Sequence, residues 1–295
     1  MDITLALGGG GSKGNAHIGV LRVLEREGFR VRAIAGTSAG GLVAAAYAAG
    51  FTPDEIEAHM LEVNQHKLYG MLPRAEPALL SLDGIEHAIS TLIGERTFND
   101  LQIPCAFTAV DIRSSKEVIL RDGRVIDALL ATIAVPGIFP PKLWNDHLLV
   151  DGGVLDPVPV TLARLLAPKP PVVAVSLMPP RRDWEKYPVG KMISQPSVLK
   201  PVSRLRMAQA LDIFLHSVEI SERMLTALRL EIDKPDAIIC PPVHDIGVFD
   251  RIDISDVVKR GEQGAELALP ALRAMDRWQR KLTRLFRPSN FQRFA

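Results

Sequence analysis

The first fifty residues alternate short apolar runs with glycine-rich turns and helical patterns. Residues 3–7 and 31–35 are predicted strands, because each run is short, apolar and followed by glycine. Between them, residues 12–27 carry apolar side chains at helical spacing, and Gly28 is typical of the position just after a helix. An alanine-rich helix then extends to Gly50. Strands that alternate with helices at this spacing are usually parallel and joined by right-handed crossovers. The sequence therefore predicts a layered α/β fold.

The rest of the chain continues this alternation less regularly. Further strands are predicted over residues 104–112, 117–120, 147–150, 171–178 and 236–240, and helices from residue 52 onward, over 125–135 and over 207–228. Residues 179–206 carry several prolines and scattered charges without a period, so this segment is either a lid or a mobile loop. We predict one catalytic domain over residues 1–270, followed by a separate segment over residues 271–295.

The segment Gly36-Thr-Ser-Ala-Gly40 matches the G-x-S-x-G nucleophile elbow. The five letters alone are a weak signal, but here they follow a predicted strand and open a predicted helix, as the elbow requires. Because such a turn is sharp, Gly36 and Gly40 must be small, and Ser38 would project its hydroxyl from the carboxyl end of a strand. The alternative is a tight turn whose serine only caps the helix.

A second glycine-rich loop, Gly8 to Gly14, also lies between a predicted strand and a helix. Its bare amides suit an oxyanion hole or a phosphate site. A dinucleotide site would need an acidic residue about 20 residues later, but the second strand ends at Gly36 and a serine follows. A P-loop is excluded because Asn15 follows Gly14. The oxyanion hole is favoured, with Lys13 adding positive charge near the site.

A serine nucleophile needs a base, and the sequence offers two kinds. His244 lies late in the chain, as in hydrolases that use histidine. Those enzymes, however, place several strands before the elbow, whereas here a single strand precedes the strand that leads into Ser38. Asp151 ends an apolar strand and precedes Gly152 and Gly153, which puts a carboxylate beside bare backbone. Partial burial would raise its pKa and make it a stronger base. Asp151 is favoured, with an ordinary Asp-Gly turn as the alternative.

Together these segments resemble the patatin-like phospholipase family. That family combines a G-G-G-x-[RK]-G loop, a G-x-S-x-G elbow and a D-G-[GA] aspartate, which correspond here to residues 9–14, 36–40 and 151–153. Residues 131–140, around Pro136, look like the family's proline-containing block, and Lys13 replaces the commoner arginine. The resemblance covers residues 1–178, with weaker similarity over 207–260. It implies a three-layer α/β/α fold with a mainly parallel central sheet.

The resemblance also implies a reaction, the hydrolysis of a carboxylic ester on a phospholipid, a lysophospholipid or a neutral lipid. Ser38 would attack the ester and Asp151 would take its proton, through an acyl-enzyme. By the same resemblance, the N–H groups that hold the oxyanion would be those of Gly9, Gly10 and Gly11. The residues expected to shape or support the site are Lys13, Gly36, Gly40, Pro136, Gly152 and Gly153. No cofactor is implied, and the sequence shows neither a calcium loop nor a zinc-ligand cluster, so no metal is expected. A non-catalytic lipid- or nucleotide-binding module on the same scaffold is the alternative.

Charge and composition limit the partners. A net charge of +1 argues against a general nucleic-acid binder. Arg273–Ala295 is rich in basic residues and has the pattern of a basic amphipathic helix, which predicts peripheral contact with an anionic membrane; a terminal helix docked on the core is the alternative. Cys105 and Cys240 lie in apolar surroundings and are expected to be free thiols. With no signal peptide or membrane span in the sequence, a cytoplasmic protein is expected, at most attached to the inner face of the membrane.

Overall fold

The computed structural model describes residues 1–65, 68, 70–71, 80–187 and 202–275. The strands in these residues are β1 (Asp2–Leu7), β2 (Arg30–Gly36), β3 (Gly70–Met71), β4 (Leu80–Ser81), β5 (Cys105–Asp111), β6 (Lys116–Leu120), β7 (Lys142–Trp144), β8 (His147–Asp151), β9 (Val172–Val175) and β10 (Ala237–Ile239). The α-helices are α1 (Ala16–Arg26), α2 (Ala39–Ala48), α3 (Pro53–Glu62), α4 (Asp83–Ile93), α5 (Val125–Thr132), α6 (Val160–Leu166), α7 (Val202–Asp233) and α8 (Ile254–Ala274). Short 3₁₀ helices cover Gly11–Asn15, Phe98–Asp100, Gly152–Val154 and Arg181–Asp183.

The central sheet has eight strands in the order β10-β9-β1-β2-β5-β8-β7, with β6 also paired to β5. The strands from β10 to β5 are parallel to their neighbours, as the strand–helix alternation predicts. β6, β7 and β8 add antiparallel pairs at the other edge. β1 lies in the middle, and its carboxyl end is next to the carboxyl end of β2, since Leu7 is in register with Gly36. The two glycine-rich turns that follow these strands are therefore neighbours.

Apolar side chains cover both faces of this sheet, and successive residues of a strand alternate between the faces. Leu5 and Leu7 belong to one core cluster with α1, α2, α5 and α8, whereas Ala6 belongs to another with α6. On the second face the strands contribute mainly alanine, which lets α6 approach the sheet closely. Helices on both faces of a mainly parallel sheet confirm the predicted three-layer α/β/α fold.

Several element boundaries differ from the prediction. The segment predicted as a helix over 12–27 begins as the 3₁₀ turn Gly11–Asn15, in which the Lys13 N–H donates to the Gly10 carbonyl at 3.3 Å. The helix predicted over 125–135 ends at Thr132, because the residues just before Pro136 cannot continue a regular helix. Helix α4 has no counterpart in the prediction. Gly28 has the positive φ of 76° that a residue after a helix end requires.

The two segments singled out by composition are only partly described. Residues 179–187 contain a 3₁₀ turn, 188–201 lie outside the described residues, and α7 begins at Val202, so 202–206 are helical. At the other end, α8 continues through Pro270 to Ala274, and Leu272 and Met275 are buried in the core. Residues 276–295 lie outside the described residues, so the lid and the membrane-contacting helix stay predictions. Among the described residues, no helix is long and apolar enough to span a membrane.

Candidate active site

Ser38 lies in the sharp turn between β2 and α2. Its backbone has φ 54° and ψ −126°, a conformation that residues other than glycine rarely adopt. The turn is tight on both sides: a Cβ on Gly36 would lie 2.5 Å from Gly41 Cα, and one on Gly40 would collide with the Leu7 carbonyl. Small flanking residues are thus required, as the elbow motif predicts. Ser38 remains partly exposed while its neighbours are buried.

Asp151, the last residue of β8, lies close enough to Ser38 for the serine hydroxyl to stabilise its carboxylate. The Gly153 N–H also donates to Asp151 Oδ1 at 2.7 Å. Asp151 is 5% exposed. Burial raises the pKa of Asp151 to about 6, although the bonds from Ser38 and Gly153 oppose that shift. The structure thus brings together the two residues that the sequence predicted as a pair, over a hundred positions apart.

Three threonines connect the turn around Ser38 to β5, to the end of α5 and to the segment that follows Asp151. The Thr37 hydroxyl contacts the Thr108 hydroxyl at 3.0 Å and donates to the Asp156 carbonyl at 2.8 Å. The Thr132 hydroxyl donates to the Thr108 carbonyl at 2.6 Å and accepts from the Ser38 N–H at 3.0 Å. Gly152 fits here because a Cβ would collide with Thr108. Buried hydroxyls that are fully hydrogen-bonded hold the segments they join in one arrangement. No sequence motif indicates these threonines.

The glycine loop lies beside Ser38, but its amides are not equivalent. A Cβ on Gly9 would lie 3.3 Å from Ser38 Cβ, so the loop passes close to the elbow. The Gly9 N–H, however, donates to the Pro157 carbonyl at 3.0 Å and is already used. Gly10 and Gly11 both have positive φ, 155° and 58°, and no hydrogen bond within the described residues uses their N–H groups. Of the three glycines predicted as donors, Gly10 and Gly11 are thus the two whose N–H groups no described hydrogen bond uses.

Lys13 follows this loop and is only 1% exposed. Its stem is buried, and burial lowers the pKa of Lys13, while the negative potential of Glu219 and Glu222 on α7 opposes that shift. The sequence analysis placed Lys13 near the site but missed Glu222. Glu222 lies on one helical face with Arg229 and Asp233, at intervals of seven and four, and this polar stripe is also visible in the sequence.

An apolar cavity of about 170 Å³ opens beside Ser38. It extends between α2, α3, α4 and α5. Gly11, Ser12, Ser38 and Gln65 are among its polar or backbone walls, and its apolar walls include Ala39, Leu42, Val43, Ala46, Ile56, Met60, Val63, Leu68, Ile85, Ile89, Leu92, Ile93, Leu129, Ile133, Val135, Phe139, Val248, Phe249, Ile252 and Ile254. The cavity suits a hydrocarbon chain better than a polar ligand.

The proline-containing block supports the aspartate and the cavity. The Ala134 carbonyl accepts from the Asp151 N–H at 2.9 Å, and Val135 and Phe139 line the cavity on either side of Pro136. His244 is elsewhere: its ring contacts the Tyr187 ring at 4.9 Å between centroids, and it is not among the described residues that line the cavity. The Ser38 hydroxyl influences the Asp151 carboxylate and is not among the groups that influence His244.

Comparison with known proteins shows the family of this chain. The model of the patatin-like phospholipase family matches residues 5–164, a span that includes the glycine loop, Ser38 and Asp151. The chain belongs to the patatin-like phospholipase family. The resemblance inferred from the three motifs is thereby confirmed.

Relatives of this patatin-like chain come from several bacteria. An uncharacterized NTE family protein of Mycobacterium bovis is 34% identical over 215 residues, which are 69% of this chain and 59% of that protein. The chain thus spans well under two thirds of this relative. The Bacillus subtilis protein YqhO is 35% identical over 218 residues, 63% of this chain and 75% of YqhO.

One solved structure shares the fold at low sequence identity. VipD from Legionella pneumophila aligns with a TM-score of 0.50 and 12% identity, over 92% of this chain and 66% of VipD. At this identity the similarity concerns the fold alone.

Proposed function

We propose that the chain is a lipid acyl hydrolase that uses Ser38 and Asp151 as a catalytic pair. One observation carries the proposal: a serine on a strained elbow lies beside a buried carboxylate, with which its hydroxyl interacts, at the wall of an apolar cavity. Family membership supports the same reaction class. A cap-only serine would need neither the strained backbone nor the carboxylate partner.

In the first step, Ser38 Oγ attacks the ester carbonyl carbon and Asp151 takes the hydroxyl proton. The tetrahedral intermediate then expels the alcohol, which receives that proton from Asp151, and leaves an acyl-Ser38 ester. Water attacks this ester with Asp151 as the proton acceptor. The fatty acid leaves, and the proton returns to Ser38 Oγ. A carboxyl with a pKa raised to about 6 is a stronger base than an ordinary aspartate and is still ionised at neutral pH.

The negative oxygen of each intermediate needs donors that are already in place. The N–H groups of Gly10 and Gly11 are the candidates, because they are held in a loop beside the elbow and have no other described partner. Removing one such donor typically lowers kcat by about 10²-fold or more. Their positive φ angles explain why glycine is needed at both positions.

The cavity supports an ester of an acyl chain as the substrate class. Its apolar walls would hold the hydrocarbon while Ser38 reaches the carbonyl at the cavity wall. A phospholipid, a lysophospholipid and a neutral lipid ester all satisfy this requirement. Contact with a membrane surface would deliver such substrates and is part of the proposal.

Hydrolysis of a panel of lipid esters, scored by release of fatty acid, tests the proposal. Ser38→Ala and Asp151→Asn should each lower kcat on the order of 10⁴-fold while their melting curves stay cooperative. His244→Ala is the matched control and should keep near-normal turnover. A fluorophosphonate probe should label the wild type and not the Ser38→Ala protein. A folded Ser38→Ala protein with near-normal turnover would refute the assignment, and loss of turnover in His244→Ala alone would favour a histidine base.

A further inference from the structure

Glu222 of α7 lies near two glycines of the site, Gly9 in the glycine loop and Gly153 in the turn after Asp151. A Cβ added to Gly9 would lie 3.9 Å from Glu222 Oε1, and a Cβ added to Gly153 would lie 3.9 Å from the same atom. Gly9 passes beside Ser38, and the Gly153 N–H donates to Asp151. The carboxyl of Glu222 is therefore next to the proposed reaction site. The proposed mechanism gives it no part.

Several charged groups face this carboxyl. Asp151 lies at the end of β8, Lys13 in the 3₁₀ turn before α1, and Glu219 and Arg223 on α7 itself. Glu219 and Arg223 form an ion pair of 2.8 Å, which offsets part of the charge of each. Burial is the largest influence and the Asp151 carboxylate the second; together they raise the pKa of Glu222 to about 7 despite Lys13 and Arg223.

We infer that Glu222 is a further functional residue of this site and that acyl transfer is fast only while the Glu222 carboxyl is neutral. The inference rests on the proposed function, because it concerns the same reaction. Negative charge develops on the carbonyl oxygen beside the glycine loop, and an ionised Glu222 would place another negative charge at that loop. The neutral acid avoids this repulsion. Glu222 is thus a positioning residue that acts through the electrostatics of the site.

The rate should consequently depend on pH in two opposite ways. Deprotonation of Asp151 creates the base and raises the rate, whereas deprotonation of Glu222 lowers it. Because the two carboxyls repel each other, they titrate as a pair, and the bell-shaped profile reports values that belong to both. Activity should be highest near neutral pH and fall on the alkaline side.

The pH profile of kcat/KM for a short-chain nitrophenyl ester, between pH 5 and 9, tests this role. In Glu222→Gln the alkaline fall should disappear, so that the variant is about tenfold faster than the wild type one pH unit above the Glu222 pKa. Near pH 5.5 the two proteins should be nearly equal. Glu231→Gln, an exposed glutamate on the same helix, is the matched control and should keep the wild-type profile. An unchanged alkaline fall in Glu222→Gln, or a uniform loss at every pH, would overturn the inference.

A melting experiment measures the ionisation without relying on hydrolysis. A glutamate whose pKa is raised from 4.5 to about 7 destabilises the folded state increasingly as the pH rises from 4.5 to 7, to the full extent above pH 7, and leaves it unaffected below pH 4.5. Glu222→Gln should therefore melt at a higher temperature than the wild type at pH 8 and at the same temperature near pH 4.5. Absence of this shift in an active protein would overturn the inference about Glu222 alone. A wild type that shows the shift but cleaves no ester would refute the hydrolase proposal and, with it, the role of Glu222 in the rate.

Discussion

Ser38 combines a side chain that the proposed chemistry needs with a backbone conformation that suits glycine. Its φ of 54° costs a serine about 1–3 kcal/mol. The surrounding structure maintains it, because the Ser38 N–H is held by Thr132 and because Gly36 and Gly40 allow β2 and α2 to approach. The strain exposes the hydroxyl at the turn and directs it to Asp151.

Relief of this strain should be measurable. Ser38→Gly and Ser38→Ala both remove the hydroxyl, but only glycine adopts the φ of 54° without a steric penalty. Urea unfolding should give the Ser38→Gly protein a free energy of unfolding about 1 kcal/mol higher than that of Ser38→Ala. Both variants should be inactive. Equal stabilities would mean that the elbow relaxes in the alanine variant.

In the proposed mechanism, the protonation of Asp151 controls the acid side of the rate profile. Its pKa is raised to about 6, so below that pH the proton occupies the site that must accept the Ser38 proton. We expect kcat/KM to fall about tenfold for each pH unit below 6. The pH dependence of fluorophosphonate labelling of Ser38 should follow the same curve. An acid limb near the ordinary aspartate value of 3.8 would show that the carboxyl is better solvated than its burial indicates.

At the scale of the element, α7 has inverted polarity. Its buried side chains include Arg223, Thr226, Arg229 and Asp233, whereas its exposed residues include Ile213, Phe214, Val218, Ile220, Met224, Leu228 and Ile232. The apolar periodicity of this segment correctly predicts a helix. It does not predict which face lies inward, because the inward face is held by charge. Arg229 pairs with Asp156 and, at 3.2 Å, with Asp233, and Glu117 lies 3.8 Å away.

Two neighbouring substitutions on α7 should therefore rank in stability opposite to what side-chain hydrophobicity predicts: replacing the arginine should destabilise the protein more than replacing the leucine. Arg229→Met leaves three buried carboxylates without this cation and should lower the free energy of unfolding by about 3–5 kcal/mol. Leu228→Gln changes an exposed side chain and should lower it by no more than about 0.5 kcal/mol. Chemical denaturation of both proteins compares them. A larger loss in Leu228→Gln would mean that this face of α7 is covered.

At the scale of the whole molecule, the apolar cavity beside Ser38 is assembled from distant segments. α2 supplies Leu42 and Ala46, α3 and α4 supply the opposite wall, and the loop before α8 adds Val248 and Phe249. Helix α4 was not predicted, and the residues that line the cavity have no common motif. The cavity is thus a product of packing.

Chain-length preference tests the use of this cavity. Ala46 is fully buried and lines the cavity, so Ala46→Leu would fill part of it. We expect kcat/KM to fall by about tenfold or more for long-chain esters and to stay near the wild-type value for acetyl and butyryl esters, because lost hydrocarbon contacts are worth about 0.8 kcal/mol per CH₂. The ratio of the two rates is the readout. An equal fall for short and long chains would place the acyl chain elsewhere.

The sequence by itself determined the α/β class, the parallel strands and the two glycine turns, because these follow from local periodicity and from turns that only small residues allow. It also indicated Ser38 and Asp151 as partners, since their motifs are local and come at the ends of strands.

Only the tertiary structure decided which loop amides are free, that Glu222 faces the site, and where the cavity lies. The Gly9 N–H donates to the Pro157 carbonyl, and the Glu222 carboxyl lies near Gly9 and Gly153, which are both far from it in the chain. Such contacts depend on how helices pack over the carboxyl ends of the strands, and no periodicity within one segment encodes them. The charged inward face of α7 has the same origin, because burial of a charge is favourable only where an opposite charge from another element meets it.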